Sequence, residues 1–88
     1  MAGVRYAVVF AGSAAKEFKA LERSMQRRIA TRIDQLSATP LPPDVKKLHG
    51  QADHYRIRVG NFRVIYRIDG KRVVIVVVKI GHRRDVYR

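Results

Sequence analysis

Eighty-eight residues suffice for one small domain with a single core and little surplus. Nineteen Lys and Arg against seven Asp and Glu leave a formal charge of +12, a bias that points to a polyanionic partner such as nucleic acid or an acidic protein. The chain has no cysteine, which removes disulfides, thiolate metal sites and cysteine nucleophiles and agrees with a cytoplasmic protein. His49, His54 and His82 lack metal-ligand spacing, so neither a metal nor a cofactor is expected. The longest apolar run, Val73 to Val78, falls far short of the roughly 20 residues of a membrane span, and the first residues lack a signal-peptide stretch.

In chain order, Val4 to Phe10 alternates loosely and is rich in Val, Tyr and Phe, which predicts a first strand. Ala11-Gly12-Ser13 ends it, with Ser13 as the expected N-cap of a helix. Phe18, Leu21, Met25, Ile29, Ile33 and Leu36 follow in steps of three and four, an apolar stripe for packing on a sheet. Ser24 is the expected cap of a second helix, and Lys16, Lys19, Arg23, Arg27, Arg28 and Arg32 fall on the polar flank. The helical pattern stops at Thr39-Pro40-Leu41-Pro42-Pro43, because proline removes a donor and pushes its predecessor to extended geometry.

Beyond a connecting segment, Tyr55 to Arg67 alternates with period two. Tyr55, Ile57 and Val59 take one face of a strand and Arg56 and Arg58 the other. Gly60-Asn61 predicts a two-residue turn, after which Phe62, Val64, Tyr66 and Ile68 continue the apolar face while Arg63 and Arg67 rejoin the arginines. In that register Arg58 lies opposite Arg63, a like-charge pair that costs stability unless an anion is held there. Asp69-Gly70 predicts a second turn, and Val73 to Ile80 a strand inside the sheet that Gly81 ends. An odd-length turn is expected, because an even one would bury Lys79 in the core. The order β-α-α-β-β-β defines one α+β domain over 1–88, with two N-terminal helices on one face of a mostly antiparallel four-stranded sheet and the arginine face left open.

Length, element order and three stretches (Val45 to Gly50, Tyr55 to Tyr66 and Val78 to Tyr87) resemble the RelE/ParE superfamily of toxins, closest to the RelE-like ribosome-dependent messenger RNA endonucleases. The resemblance implies the toxin of a type II toxin–antitoxin pair that cuts messenger RNA in the ribosomal A site and inhibits translation. Its expected partners are the 70S ribosome, messenger RNA and a cognate antitoxin acidic in its toxin-binding segment, with a hetero-oligomer on operator DNA open. Carried over residue by residue, the family's site falls on Arg56, Arg58, Arg63, Arg83 and Tyr87. The chain departs from the best-described members at Arg56 and Arg58, where lysine is the reference residue.

Cleavage of this kind needs no metal: a 2′-hydroxyl attacks the adjacent phosphorus in line and the 5′-oxygen leaves. The protein must orient the backbone, stabilise phosphoryl charge and move protons. Arg63 and Arg83 suit charge stabilisation, because a guanidinium fork matches two phosphate oxygens. Tyr87 either stacks on a base or plugs the core edge. Lys46, Lys47, Arg56, Arg67 and Arg84 are the expected RNA-binding residues. The general base is open between Arg58, which does not shed its proton, and His82 or His54, whose ordinary pKa suits the task. Two other readings of the chain are a ParE-like inhibitor of DNA gyrase without nuclease activity and a non-catalytic nucleic-acid-binding module. Codon preference and the identity of the antitoxin are not written in the sequence.

Overall fold

A computed structural model describes residues 4–82. The first strand is β1 (Ala7–Phe10), shorter than the alternation suggested. Two helices follow, α1 (Gly12–Lys19) and α2 (Arg23–Ala38). Neither expected serine caps them. Ser13 and Ser24 are each the second residue of their helix, and the N-cap positions belong to Ala11 and Glu22, which make no side-chain cap bond. The bend is held from the other side instead: the Gln26 side-chain amide donates to the Phe18 and Lys19 carbonyls at 3.0 and 3.3 Å, satisfying the end of α1 from the first turns of α2.

The remaining elements are β2 (Lys46–Lys47), β3 (His54–Val59), β4 (Phe62–Asp69) and β5 (Val74–His82). The sheet therefore has five strands in the order β1-β5-β4-β3-β2, one more than expected, because Lys46 and Lys47 pair with Arg56 and Tyr55. Only β1 and β5 run parallel. Val59 pairs with Phe62 across Gly60-Asn61, as the sequence predicts, and Gly60 supplies the positive φ of that turn.

Both helices lie on the apolar face. Ile29, Ile33 and Leu36 of α2 and Ala14 of α1 meet Ile57, Val59, Val64, Tyr66, Ile75, Val77 and Ile80 in the core. Each fully buried large side chain contributes about 1.5–3 kcal/mol. Tyr66 is completely buried and donates its hydroxyl to the Pro40 carbonyl at 2.6 Å. Burial keeps that phenol above its ordinary pKa. The bond ties the proline loop after α2 to the middle of the sheet, and that loop carries the chain to Lys46. Tyr66→Phe is expected to cost about 1–2 kcal/mol, read as a lower urea midpoint at unchanged slope.

The second turn differs from expectation. Asp69 pairs with Val74 across four residues, an even loop, in which Asp69 Oδ1 accepts from the Arg72 amide at 3.1 Å. Lys79 nevertheless avoids the core, because the register shifts between Ile65 and Tyr66: Ile65 pairs with Lys79 and Tyr66 with Val77, so Val78 is the extra residue of a bulge. A one-residue insertion exchanges the faces of everything after it. Lys79 then reaches Glu17 of α1 at 2.7 Å, and Glu17 also accepts from the Ile80 amide at 2.8 Å. That amide lies where β5 has outrun its partner β1, whose pairing ends at Phe10 and Val77. Glu17 thus closes an otherwise open stretch of sheet edge.

Candidate functional site

The alternation of β3 and β4 places the cations as the sequence predicts. Lys46 is opposite Arg56, Arg58 is opposite Arg63, and His54 is opposite Arg67. Directly opposed residues share a face, so Lys46, Arg56, Arg58 and Arg63 form one cationic tract on the side away from the helices. On its other side Arg63 is opposite Gly81 of β5.

The tract is less open than expected. Arg56 and Arg63 are only 8% and 3% exposed, whereas Arg58 and Lys46 are exposed. The two buried arginines occupy strands with neighbours on both sides, which a count of alternating residues does not reveal. Burial, reinforced by the nearby Arg58 charge, pulls the Arg56 pKa below the ordinary arginine value. A cation whose folded-state pKa is depressed loses stability by staying charged at all lower pH, and a bound anion offsets that loss.

Beside these residues lies a cleft of about 340 Å³ lined by Pro43, Asp44, Val45, Lys46, Arg56 and Arg58. Its carboxylate, Asp44, accepts from Arg32 of α2 at 2.8 and 3.0 Å. The sequence reading missed both: Arg32 sat among the polar helix residues and Asp44 next to prolines, with no local pattern joining them.

The two histidines part company. His54 shares the face of the arginines, and its Nδ1 lies 2.8 Å from the Ala52 carbonyl. A carbonyl only accepts, so Nδ1 is the donor, which leaves Nε2 as the nitrogen that could take up a proton. His82 is opposite Phe62 and meets that ring edge-on, with centroids 5.7 Å apart, on the helix-facing side. That register puts it on the face opposite Arg56, Arg58 and Arg63. Lys47 is exposed and paired with Tyr55, on the side opposite Lys46, and Arg67 is half-buried at the far end of β4. Arg83, Arg84 and Tyr87 lie outside the described residues. The described residues hold no group of three or more metal-ligating side chains, and no helix among them is long and apolar enough to cross a membrane.

Two helices on the apolar face of a short, mostly antiparallel sheet, with guanidinium groups gathered on the other, define a RelE-type toxin fold. The chain belongs to the family described as the ParE toxin of type II toxin–antitoxin systems, whose model matches residues 8–87, and within the RelE/ParE superfamily it is RelE-like. Toxin RelE3 of Methanocaldococcus jannaschii is 32% identical over 84 residues, covering 91% of this chain and 93% of the relative. The toxin chain in the crystal structure of the archaeal RelE–RelB complex from Pyrococcus horikoshii is similar with a TM-score of 0.79 at 34% identity, covering 90% of this chain and 96% of that one. The intact Escherichia coli RelBE complex matches with a TM-score of 0.80 over 88% of this chain and 95% of that one, and at 24% identity it speaks for the fold alone.

Proposed function

We propose that this toxin is a ribosome-dependent, metal-independent endoribonuclease that cuts messenger RNA in the A site. The observation that carries the reading is the Arg58–Arg63 pair, two like charges directly opposed on a face already holding Lys46 and Arg56. A phosphodiester is the anion whose paired oxygens match the guanidinium forks gathered there. In the reaction the 2′-hydroxyl oxygen bonds to the adjacent phosphorus, the bond from phosphorus to the 5′-oxygen breaks, and a 2′,3′-cyclic phosphate and a 5′-hydroxyl result. The attacking hydroxyl gives its proton to a base and the departing oxygen takes one up.

Arg63 and Arg83 stabilise the extra phosphoryl charge, and Arg56, Lys46, Lys47, Arg67 and Arg84 hold the strand. Tyr87 stacks on a base. Of the two histidine candidates for the base, His54 has the geometry in its favour, because it shares the arginine face. An antitoxin acidic in its toxin-binding segment complements the +12 charge, and similar toxins have been crystallised with RelB partners.

Primer extension on a reporter transcript with purified ribosomes tests this reading. Cleavage is expected only when ribosomes engage the message, and Arg83→Ala, with Tyr87→Ala to a lesser degree, is expected to relieve toxicity in a folded protein. Intact RNA with blocked gyrase supercoiling would select the ParE-like activity. Intact RNA with salt-sensitive binding and no growth arrest would leave only a binding module.

A further inference from the structure

The exposed Arg58 lines a second cleft besides the one it shares with Lys46 and Arg56. This second cleft, of about 360 Å³, is bounded by Arg28, Thr31, Arg32, Arg58, Val59 and Gly60. Arg28, Thr31 and Arg32 are three and four residues apart on α2 and so occupy one helix face, turned to the tip of the β3–β4 hairpin. The Arg28 guanidinium rests over Gly60: a Cβ there would stand 3.2 and 3.3 Å from its two terminal nitrogens. Gly60 thus serves the positive φ of the turn, +60°, and the close approach of the arginine at once.

The charges in this cleft are unevenly compensated. Arg32 is paired with Asp44 at 2.8 Å. Arg28 and Arg58 have no ion-pair partner among the described residues. Two guanidinium groups and Thr31 therefore border a concavity that no carboxylate among the described residues lines. Arg58 is common to both clefts, so cationic surface continues from Lys46 and Arg56, over the hairpin tip, to α2.

We propose that the Arg28–Arg58 cleft is a second phosphodiester subsite, taken by a backbone phosphate of the RNA strand whose scissile linkage lies at the Arg58–Arg63 pair. The proposal rests on the ribonuclease reading and adds to it the path of the strand. RNA is favoured over an acidic protein segment because the subsite is continuous with the cleavage tract through one shared arginine, as successive phosphates of one strand require. The arginine forks suit phosphate geometry, and Arg28 is exposed on its helix.

The test is binding by fluorescence anisotropy of labelled 2′-O-methyl oligonucleotides, which cannot be cleaved, two and six nucleotides long, over a range of salt. The hexanucleotide is expected to bind the wild-type chain more tightly and with a steeper salt dependence than the dinucleotide. Arg28→Gln is expected to weaken the hexanucleotide about tenfold and to reduce its log–log salt slope by about 0.7, the share of one single-strand phosphate. The dinucleotide is expected to be unaffected, and Arg28→Lys to restore the slope. Equal binding of both lengths by wild type, an unchanged slope, or equal losses for both lengths would overturn the subsite. So would a loss confined to neutralisation by an acidic antitoxin peptide, which would give the cleft to a protein partner. Because these probes cannot be cut, the result is independent of the ribosome assay, and failure of one is distinguishable from failure of the other.

Discussion

Arg63→Met is expected to lower the rate of messenger RNA cleavage by about 10²–10³-fold. In the proposed reaction the substitution removes one preorganised cationic donor to a developing phosphoryl charge, an effect of about 2.7–4 kcal/mol in comparable sites. Arg63 is 3% exposed and directly opposite Arg58, and methionine keeps an unbranched stem of similar reach while removing the charge. Arg63→Lys, which keeps the charge but loses the fork, is expected to fall between the two in activity. Cleavage on programmed ribosomes reads the loss, and a melting curve checks that each variant is folded. A methionine variant that cuts at the wild-type rate would remove Arg63 from the chemistry.

That opposition of like charges was visible in the sequence because it depends only on period-two alternation and a two-residue turn. Those same local rules placed Arg58 opposite Arg63 and Tyr66 in the core, where both stand. The stripe from Phe18 to Leu36 likewise gave both helices, since its spacing is dictated by one buried face. What the sequence concealed was set by contacts between distant residues. The two-residue strand at Lys46 exists because β3 offers an edge to it, not because of any propensity of its own. The bulge at Val78 has no signature within six consecutive apolar residues, yet it decides which face Lys79 takes. Ser13 and Ser24 look like caps by composition, but Gln26 does the work of closing the bend from across it. In the site, alternation gave the arginines but not their burial, and it did not reveal that His54 rather than His82 would share their face.

Arg58→Lys is expected to give the cleavage rate a new pH dependence. Arginine keeps its proton throughout the accessible range, and the resemblance to RelE-like toxins implies lysine as the reference residue at this position. A lysine at position 58 would face Arg63 directly, with Arg56 two residues away on the same strand face. Nearby like charges disfavour its ammonium, so its pKa would lie below the ordinary 10.4 or so. Position 58 is exposed, which limits the depression, since burial adds nothing to it. As pH rises through that lowered value the side chain loses its proton and can accept one from the 2′-hydroxyl. General-base catalysis supplies about 10²–10⁴-fold where geometry is good, so a rise of at least about tenfold between pH 7 and 9 is expected for the variant over wild type. The His54→Gln substitution separates the candidates. In the wild-type background it is expected to slow cleavage, and in the Arg58→Lys background its effect is expected to shrink, because the new amine takes over the proton. Parallel pH–rate profiles for wild type and Arg58→Lys would mean that position 58 lies out of reach of the attacking hydroxyl. The scissile linkage would then have to sit nearer the Gly81 side of Arg63 than the hairpin tip.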